Sequence, residues 1–508
     1  MNSENKVKFL TFWAINGELQ LSKLKKQLAE MQHLGFEGTV FHPRYYPGVP
    51  KYLSAAYMSI LSDLILYAKE IGMEIWLYDE NGWPSGRADG QVMASLGGCR
   101  CQYLVFEDNE VLTKERHTVN SFSPEAVTRF IEITHEGYRK GLHPDAFAYL
   151  KGFFADEVGF LDGHSVSMQE GGVPWHADLA KLYYERYEED LEEHLEELFL
   201  AKGEYRRTRI RFWDTAALLL GSNFYKQINQ WCNLHGKRFT CHLKGEENLF
   251  FQIPTNGAAQ RALIEVNTPG VDALERFPGN HYFPRIASSL SRQFGDGLSM
   301  AEVLGGSGWG LSPRNLEQYI DWLAGCGITL FIFHISQYNF NSSAVQDWPP
   351  NIPFGMNWQK CFPQLLSGLH AKWDGFAQQR QPILLVTPTR GVMAEYNPKE
   401  AMLINEHNGA GTPDTPSGRI SKFFAVIANT LANRGIDFDV AEEWLIEEYG
   451  KVLGNTFQLG RQTYKKVIFN KDCLWSESRF AGKLIEVEVG LQAESLILYS
   501  RRIITGNA

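Results

Sequence analysis

Nowhere in the 508-residue chain is there a run of about 18 apolar residues, so no membrane-spanning helix is expected. Basic charge is in deficit: Lys+Arg 49 against Asp+Glu 59 leave a net charge of -10, with no Lys/Arg cluster. That balance argues against nucleic acid or an anionic membrane as a partner. The start, MNSENKVKFLTFW, lacks a basic-then-apolar signal region and a small-residue cleavage site. Cysteine is sparse. The seven, Cys99, Cys101, Cys232, Cys241, Cys326, Cys361 and Cys473, are odd in number and form no CxxC pairs. Reduced thiols in a cytoplasm are the expectation, and Cys99 with Cys101 lacks the second pair a zinc site needs. No GxGxxG follows the first strand-like run; Gly305-Gly306-Ser307-Gly308 comes late and opens no obvious helix, which speaks against a dinucleotide site.

What is present is globular composition, 44% hydrophobic and 21% charged, at a length that predicts two domains. Aromatics reach 13%, and aromatic rings suit the C–H faces of sugars as well as large cores. Through residue 340, short apolar runs alternate with segments of helical spacing. Strands are expected at 7–15, 38–42, 74–78, 148–154, 238–242, 263–266, 298–303 and 328–334. Helices are expected at 21–34, 55–71, 124–141, within 177–200, and at 224–235, 284–294 and 316–325. Eight β/α units predict a (β/α)8 TIM barrel over residues 1–350, although alternation alone also allows an open doubly wound sheet. Residues 347–354, DWPPNIPF, read as its exit. Beyond it, strands at 382–386, 437–440, 465–470 and 494–499 with a helix at 421–434 predict a smaller three-layer, flavodoxin-like α/β domain over 375–508.

In such a barrel the loops after the strands converge at one mouth, so residues just past each strand are the site candidates. Strand one ends at Trp13 and Asn16; strand two at His42, Arg44 and Tyr45; strand three at Asp79, Glu80 and Trp83. Strand four runs into Asp156 and Glu157, and strand five into His242, with Lys244, Glu246 and Glu247 beyond. Strand six ends at Asn267 and then Asp272; strand seven carries Glu302, followed by Trp309; strand eight ends at His334, with Tyr338 beyond. An acidic rim with aromatic walls suits cleavage of a glycosidic bond, which needs one carboxylic acid and one carboxylate across a sugar ring. Glu157 and Glu302 are the pair chosen, with Phe153, Phe154 and Phe160 placed to raise a pKa by desolvation. Asp79 and Glu80 are expected to grip sugar hydroxyls, and Trp83 to stack on the ring. Two other classes stay open: a barrel lyase or isomerase with a metal held by Asp79, Glu80 and histidines, and a sugar-binding protein without catalysis. A zinc site from His42, His242 and His334 is disfavoured by their dispersion over strands two, five and eight. Arg44 would suit a uronate.

WLYDENGWPSG, FFADEVGF, SMAEVLGGSGW and FHISQY resemble the barrel motifs of glycoside hydrolase family 106, the α-L-rhamnosidases, over roughly residues 7–345. The resemblance implies an exo-acting enzyme that removes a terminal deoxysugar. It places Glu157 as general acid and Glu302 as base, and it implies calcium as an ion that can help bind sugar hydroxyls, with no cofactor required. The remaining expected site residues are Trp13, His42, Arg44, Tyr45, Asp156, His242, Glu246, Asn267, Trp309, His334 and Tyr338. The expected partner is a small carbohydrate, with a homo-oligomer left open through the second domain.

Overall fold

Eight parallel strands close on themselves in chain order: β1 (Lys8–Ile15), β2 (Gly38–Pro43), β3 (Glu74–Tyr78), β4 (Gly152–Ala155), β5 (Arg238–Cys241), β6 (Thr268–Ala273), β7 (Met300–Val303) and β8 (Leu330–Gln337), with β8 returning to β1. The expected TIM barrel is thus the fold. The computed structural model describes residues 6–160, 171–341, 343–376, 383–403, 412–454, 456–475, 485–492 and 495–500. None of its described helices is long and apolar enough to cross a membrane.

The two-residue period of a strand sorts each β-strand's side chains into two sets. On β1, Leu10, Phe12 and Ala14 pack inside the barrel with Val40, Trp76, Tyr78, Phe154, Met300 and Ile332. Phe9, Trp13 and Ile15 face the surrounding helices, in the larger core with Phe41, Ile75, Leu77 and Phe153. Helix 21–33 shows the matching pattern, burying Leu24, Leu28 and Met31 at spacings of four and three.

Several expected elements shift. The run 148–154 splits, because helix Pro144–Tyr149 takes its first half and β4 only its second. The expected helix over 124–141 breaks at Thr134 into Pro124–Ile133 and His135–Gly141. The apolar run at 263–266 is the end of a helical turn, Ala259–Leu263, and β6 starts at Thr268. Its sequence, TPGVDA, looks unlike a strand; yet a Cβ at Gly270 would fall 2.6 Å from the Cys241 carbonyl, so the close approach of β5 explains the glycine. Two strands with no counterpart in the expectation, Arg100–Glu107 and Glu110–Val119, form a hairpin whose turn residues Asp108 and Asn109 both have positive φ.

Helix Phe362–Trp373 still packs on the barrel, Phe362 against Phe36 and His370 against Phe9, so the first unit runs past the expected boundary at 350. After it comes a sheet of β9 (Ile383–Thr387), β10 (Phe438–Glu442), β11 (Val467–Phe469), β12 (Ile485–Gln492) and β13 (Ser495–Ser500). Its spatial order is β10-β9-β11-β12-β13, parallel except for the last strand. That order is the flavodoxin-like one. Helix Phe283–Phe294 of the barrel lies against it: Arg285 donates to the Phe438 carbonyl at 2.9 Å, and Ser289 Oγ accepts from Val440 N–H at 3.0 Å.

At the base of β4, a Cβ on Gly152 would press on the Arg238 carbonyl and lie 2.8 Å from the Trp76 ring. Gly152→Ala is therefore expected to cost about 1–3 kcal/mol by overpacking, measured as a lower thermal midpoint. An unchanged midpoint would contradict this packing.

Candidate functional site

On six of the eight strands the inward set continues past the barrel interior into an ionisable residue at the mouth. Val40 leads to His42, Phe154 to Asp156, Thr240 to His242, Gly270 to Asp272, Met300 to Glu302 and Ile332 to His334, each two residues further on. Strand geometry thus aims all six into the barrel mouth. Their floor is aromatic: Tyr78 stacks on Phe154 at 5.6 Å and on His42 at 3.5 Å, and Phe12 meets Phe154 edge-on at 4.8 Å.

His242 is the electrostatic centre. Its Nε2 lies 2.9 Å from Asp156 Oδ1 and 2.9 Å from Glu302 Oε2, while Nδ1 is 3.0 Å from the Leu243 carbonyl. Burial works to lower its pKa, but the charges of Asp156 and Asp272 and the two carboxylate hydrogen bonds raise it well above 6.5. The ring is an imidazolium. Burial works in the opposite sense on Asp156, and the His242 charge with the Tyr78 hydroxyl holds it down at about 2. Burial raises Glu302, with His242 moderating the rise. Asp272 is raised well above its usual range by burial, against the pull of His242. One Asp272 oxygen has no hydrogen-bond partner among the described residues. Burial lifts Glu246 to about 8, although Leu243 N–H donates to it at 2.5 Å. His334 is lowered to about 3, by burial first and the Arg44 charge second.

Asp79 and Glu80 sit elsewhere than expected. Being one residue out of phase with Tyr78, Asp79 faces the helices, fully buried, 3.5 Å from His135 Nε2. Glu80 is also fully buried, accepting backbone N–H groups from Asn81, Arg87, Ala88 and Asp89 at 2.6–3.0 Å. Neither lines the cavity; both hold the loop over 79–89. Asp79 accepts the Ser85 hydroxyl at 2.6 Å, Asp156 N–H donates to Ser85 Oγ at 3.0 Å, and Ser85 N–H donates back to the Asp156 carbonyl at 3.0 Å. Ser85 thereby clamps the peptide before Glu157, a non-glycine residue at φ 51. That turn is what brings Glu157, odd in the strand's phase, onto the cavity wall.

The cavity measures about 620 Å³ and contains Glu157, Glu302, Asp156, His242, Glu246, His334, Arg44 and Trp83 from the expected set. Arg44 is committed to protein partners, 2.6 Å from Asp347 and 3.8 Å over the Trp83 ring, so a uronate is poorly served. Tyr45 is exposed at the rim, edge-on to Trp83 at 6.2 Å. Trp309 is exposed beside Gln346. Three further expectations are corrected. Trp13 faces outward, its indole N–H donating to Gln27 at 3.0 Å. Tyr338 is buried with its hydroxyl donating to the Glu18 carbonyl at 2.9 Å. Asn267 precedes β6, at the opposite end of the barrel, where it accepts from Phe239 N–H at 2.9 Å. Of the three desolvating phenylalanines only Phe154 lies inside; Phe153 and Phe160 pack outward. Among the described residues, Asp156, His242 and Glu302 form the one group with metal-ligand spacing, and the trio of His42, His242 and His334 does not.

Sequence reasoning put Glu247 and Asp272 on the rim without choosing them for the site, and passed over Glu275, Phe277, Asn280, Trp322 and Trp348; all seven are on the cavity wall. Asp272 had a legible signal, the phase of β6, once that strand is placed at Thr268. Thr412, Ser421, Lys422 and Val426 come from the second unit and had none.

Fold and mouth together define a (β/α)8 barrel with an acidic, imidazolium-centred cavity. No family model matches the chain, and no curated protein does. Among solved structures it is similar to a rhamnosidase from Novosphingobium sp. PP1Y, at TM-score 0.63 and 10% identity over 92% of this chain and 66% of that one. It is also similar to the polyextremophilic β-galactosidase of Halorubrum lacusprofundi, at TM-score 0.57 and 11% identity over 91% and 68%. A GH42 β-galactosidase from G. stearothermophilus gives TM-score 0.56 and 12% identity over 92% and 68%. The chain spans about two thirds of the length of these neighbours. At such identities the likeness is one of fold.

If His242 is clamped as an imidazolium, its ring should not titrate between pH 6 and 8. Selective ¹³C labelling of histidine is expected to show its Cε1 resonance unmoved over that range, with Glu302→Gln lowering the midpoint. A His242 that is neutral at pH 7 would overturn the ion-paired triad.

Proposed function

We propose that the chain is a glycoside hydrolase working by two-carboxylate acid/base catalysis, with Glu157 as general acid and Glu302 as general base. The observation that carries this is one cavity lined by both carboxyls, in which Asp272 feels the charge of each. The likeness of fold to a rhamnosidase and a β-galactosidase supports the reaction class. Glu302, with its pKa raised by burial, is a stronger base toward water than a solvated glutamate. Asp156, held ionised, lies where it can balance positive charge developing on the sugar ring. Glu246 is half-protonated near pH 8 and offers a donor as well as an acceptor to sugar hydroxyls. A terminal deoxyhexose of the rhamnose type, released from a chain end, is the finer reading, supported by the motif resemblance and by the rhamnosidase neighbour.

Calcium is assigned no step. Its ordinary shell is six to eight oxygens, whereas the Asp156, His242 and Glu302 group offers one nitrogen and two carboxylates already paired with one another. That same donor set favours a second reading, a metal-dependent lyase or isomerase, since imidazole with carboxylates suits a transition metal. Loss of activity on chelation, restored by a divalent transition metal and without glycoside cleavage, would select it.

Glu157→Gln and Glu302→Gln are each expected to lower kcat/KM on an alkyl glycoside by at least about 100-fold, with circular dichroism unchanged. A panel of rhamnosides and galactosides reads the glycone, and near-normal turnover by both variants would refute the pair.

The pH profile tests the base. Because Glu302 is raised from its usual 4.5, the acidic limb of kcat/KM should lie above that value. His242 lowers the Glu302 pKa, so His242→Asn should move the limb to higher pH. A limb that stays put or moves down would contradict the role of Glu302.

A further inference from the structure

The cavity has two unlike walls. On one side Arg44 lies over Trp83. On the other, Phe277 from the segment after β6 and Val426 from helix Pro416–Asn433 line the same cavity as Glu157 and Glu302. Phe277 is 67% exposed and Val426 44%, unusual for large apolar side chains that face a polar site. Ala425 and Trp322 continue this wall, with Trp322 edge-on to Phe283 at 5.6 Å.

Helix Pro416–Asn433 is held there from behind. It buries Ser421, Phe424, Ile427, Ala428 and Leu431, with Phe424 packed on Tyr282 at 5.2 Å and Asn429 accepting from His281 N–H at 2.9 Å. Residues 422, 425 and 426 fall between those anchors and face the cavity. Three uncharged polar groups of the wall, Ser421, Thr412 and Asn280, are already engaged. Ser421 Oγ accepts from Phe250 N–H at 3.3 Å, and Thr412 Oγ1 accepts from Asn248 at 3.2 Å. Asn280 donates to the Glu247 carbonyl at 2.6 Å and accepts from Tyr282 and Phe283 N–H at 3.0 and 3.1 Å. Apart from the charged side chains of Glu275 and Lys422, what this wall offers a leaving group is apolar surface.

We infer that this wall is a leaving-group subsite for an apolar, aromatic alcohol, so that the substrates are aryl or arylalkyl glycosides. The inference rests on the hydrolase reading. At about 620 Å³ the cavity falls within the 300–1,000 Å³ typical of drug-sized ligands, room for a sugar and a ring system side by side. In the step itself the bond from anomeric carbon to leaving oxygen breaks. Water supplies the new hydroxyl, its proton passes to Glu302, and the leaving oxygen takes a proton from Glu157.

The test compares two substrates with the same sugar and leaving alcohols of similar acidity, a 2-naphthylmethyl glycoside and a disaccharide. The full chain should prefer the naphthylmethyl glycoside. Phe277→Ser with Val426→Ser, both on exposed positions, should lower kcat/KM for it by about tenfold or more, mainly through KM, and leave the disaccharide within about twofold. Equal losses on both substrates, or a wild-type preference for the disaccharide, would overturn the assignment. Calorimetric binding of 2-naphthylmethanol alone separates the two levels of inference. Binding that the double variant abolishes supports the subsite even if no glycoside is cleaved, whereas absent binding in a chain that does cleave glycosides refutes the subsite and spares the hydrolase.

Discussion

One positive charge, the His242 imidazolium set 2.9 Å from both Asp156 and Glu302, makes the rest of the mouth tenable. Taking several carboxylates out of water with no countercharge would cost far more than a fold of this size can spare. With His242 in place the acids divide into two kinds. Of the two bonded to the ring, Asp156 is held in the charged form, down to about 2, while Glu302 is raised by burial and His242 only moderates the rise. Those a step further away are pushed by burial toward the protonated form, Glu246 to about 8 and Asp272 well up. A single cavity therefore presents acceptors and donors near neutral pH from one residue type, which is what a ligand with many hydroxyls requires.

Much of this was legible because strand phase is legible. The apolar runs at 7–15, 38–42 and 74–78 fix β1, β2 and β3 almost to the residue, and β4, β5, β7 and β8 within a few. Counting by twos from each then marks His42, Asp156, His242, Glu302 and His334. Where counting was not applied, the expectation went wrong: Trp13 and Asp79 are next to strand ends but out of phase, so they face helices. Where the strand itself was misplaced, the error carried through. Putting β6 at 263–266 selected Asn267, at the wrong end, over Asp272, because TPGVDA has the glycine and proline of a loop and its strand character comes from neighbours distant in sequence. The wall supplied by helix Pro416–Asn433 depends on how two units meet, and no local pattern encodes that.

The paired acids of WLYDENGWPSG illustrate how a motif can be functional without touching a ligand. Glu80 gathers four backbone N–H groups and so dictates the path of the loop over 79–89. The loop delivers Ser85, which makes two hydrogen bonds to the Asp156 backbone while donating to Asp79. Glu157 follows at φ 51, a conformation that disfavours any residue with a side chain and persists only where its surroundings over-determine it. A relaxed Glu157 would leave the turn that carries it to the cavity wall. Conversely, a glycine there would relieve the strain and lose the carboxyl. The buried acids after β3 are thus the far end of a rigid linkage whose near end is the carboxyl at which proton transfer is proposed, and their burial, costly in isolation, is offset by the N–H groups and the serine they hold.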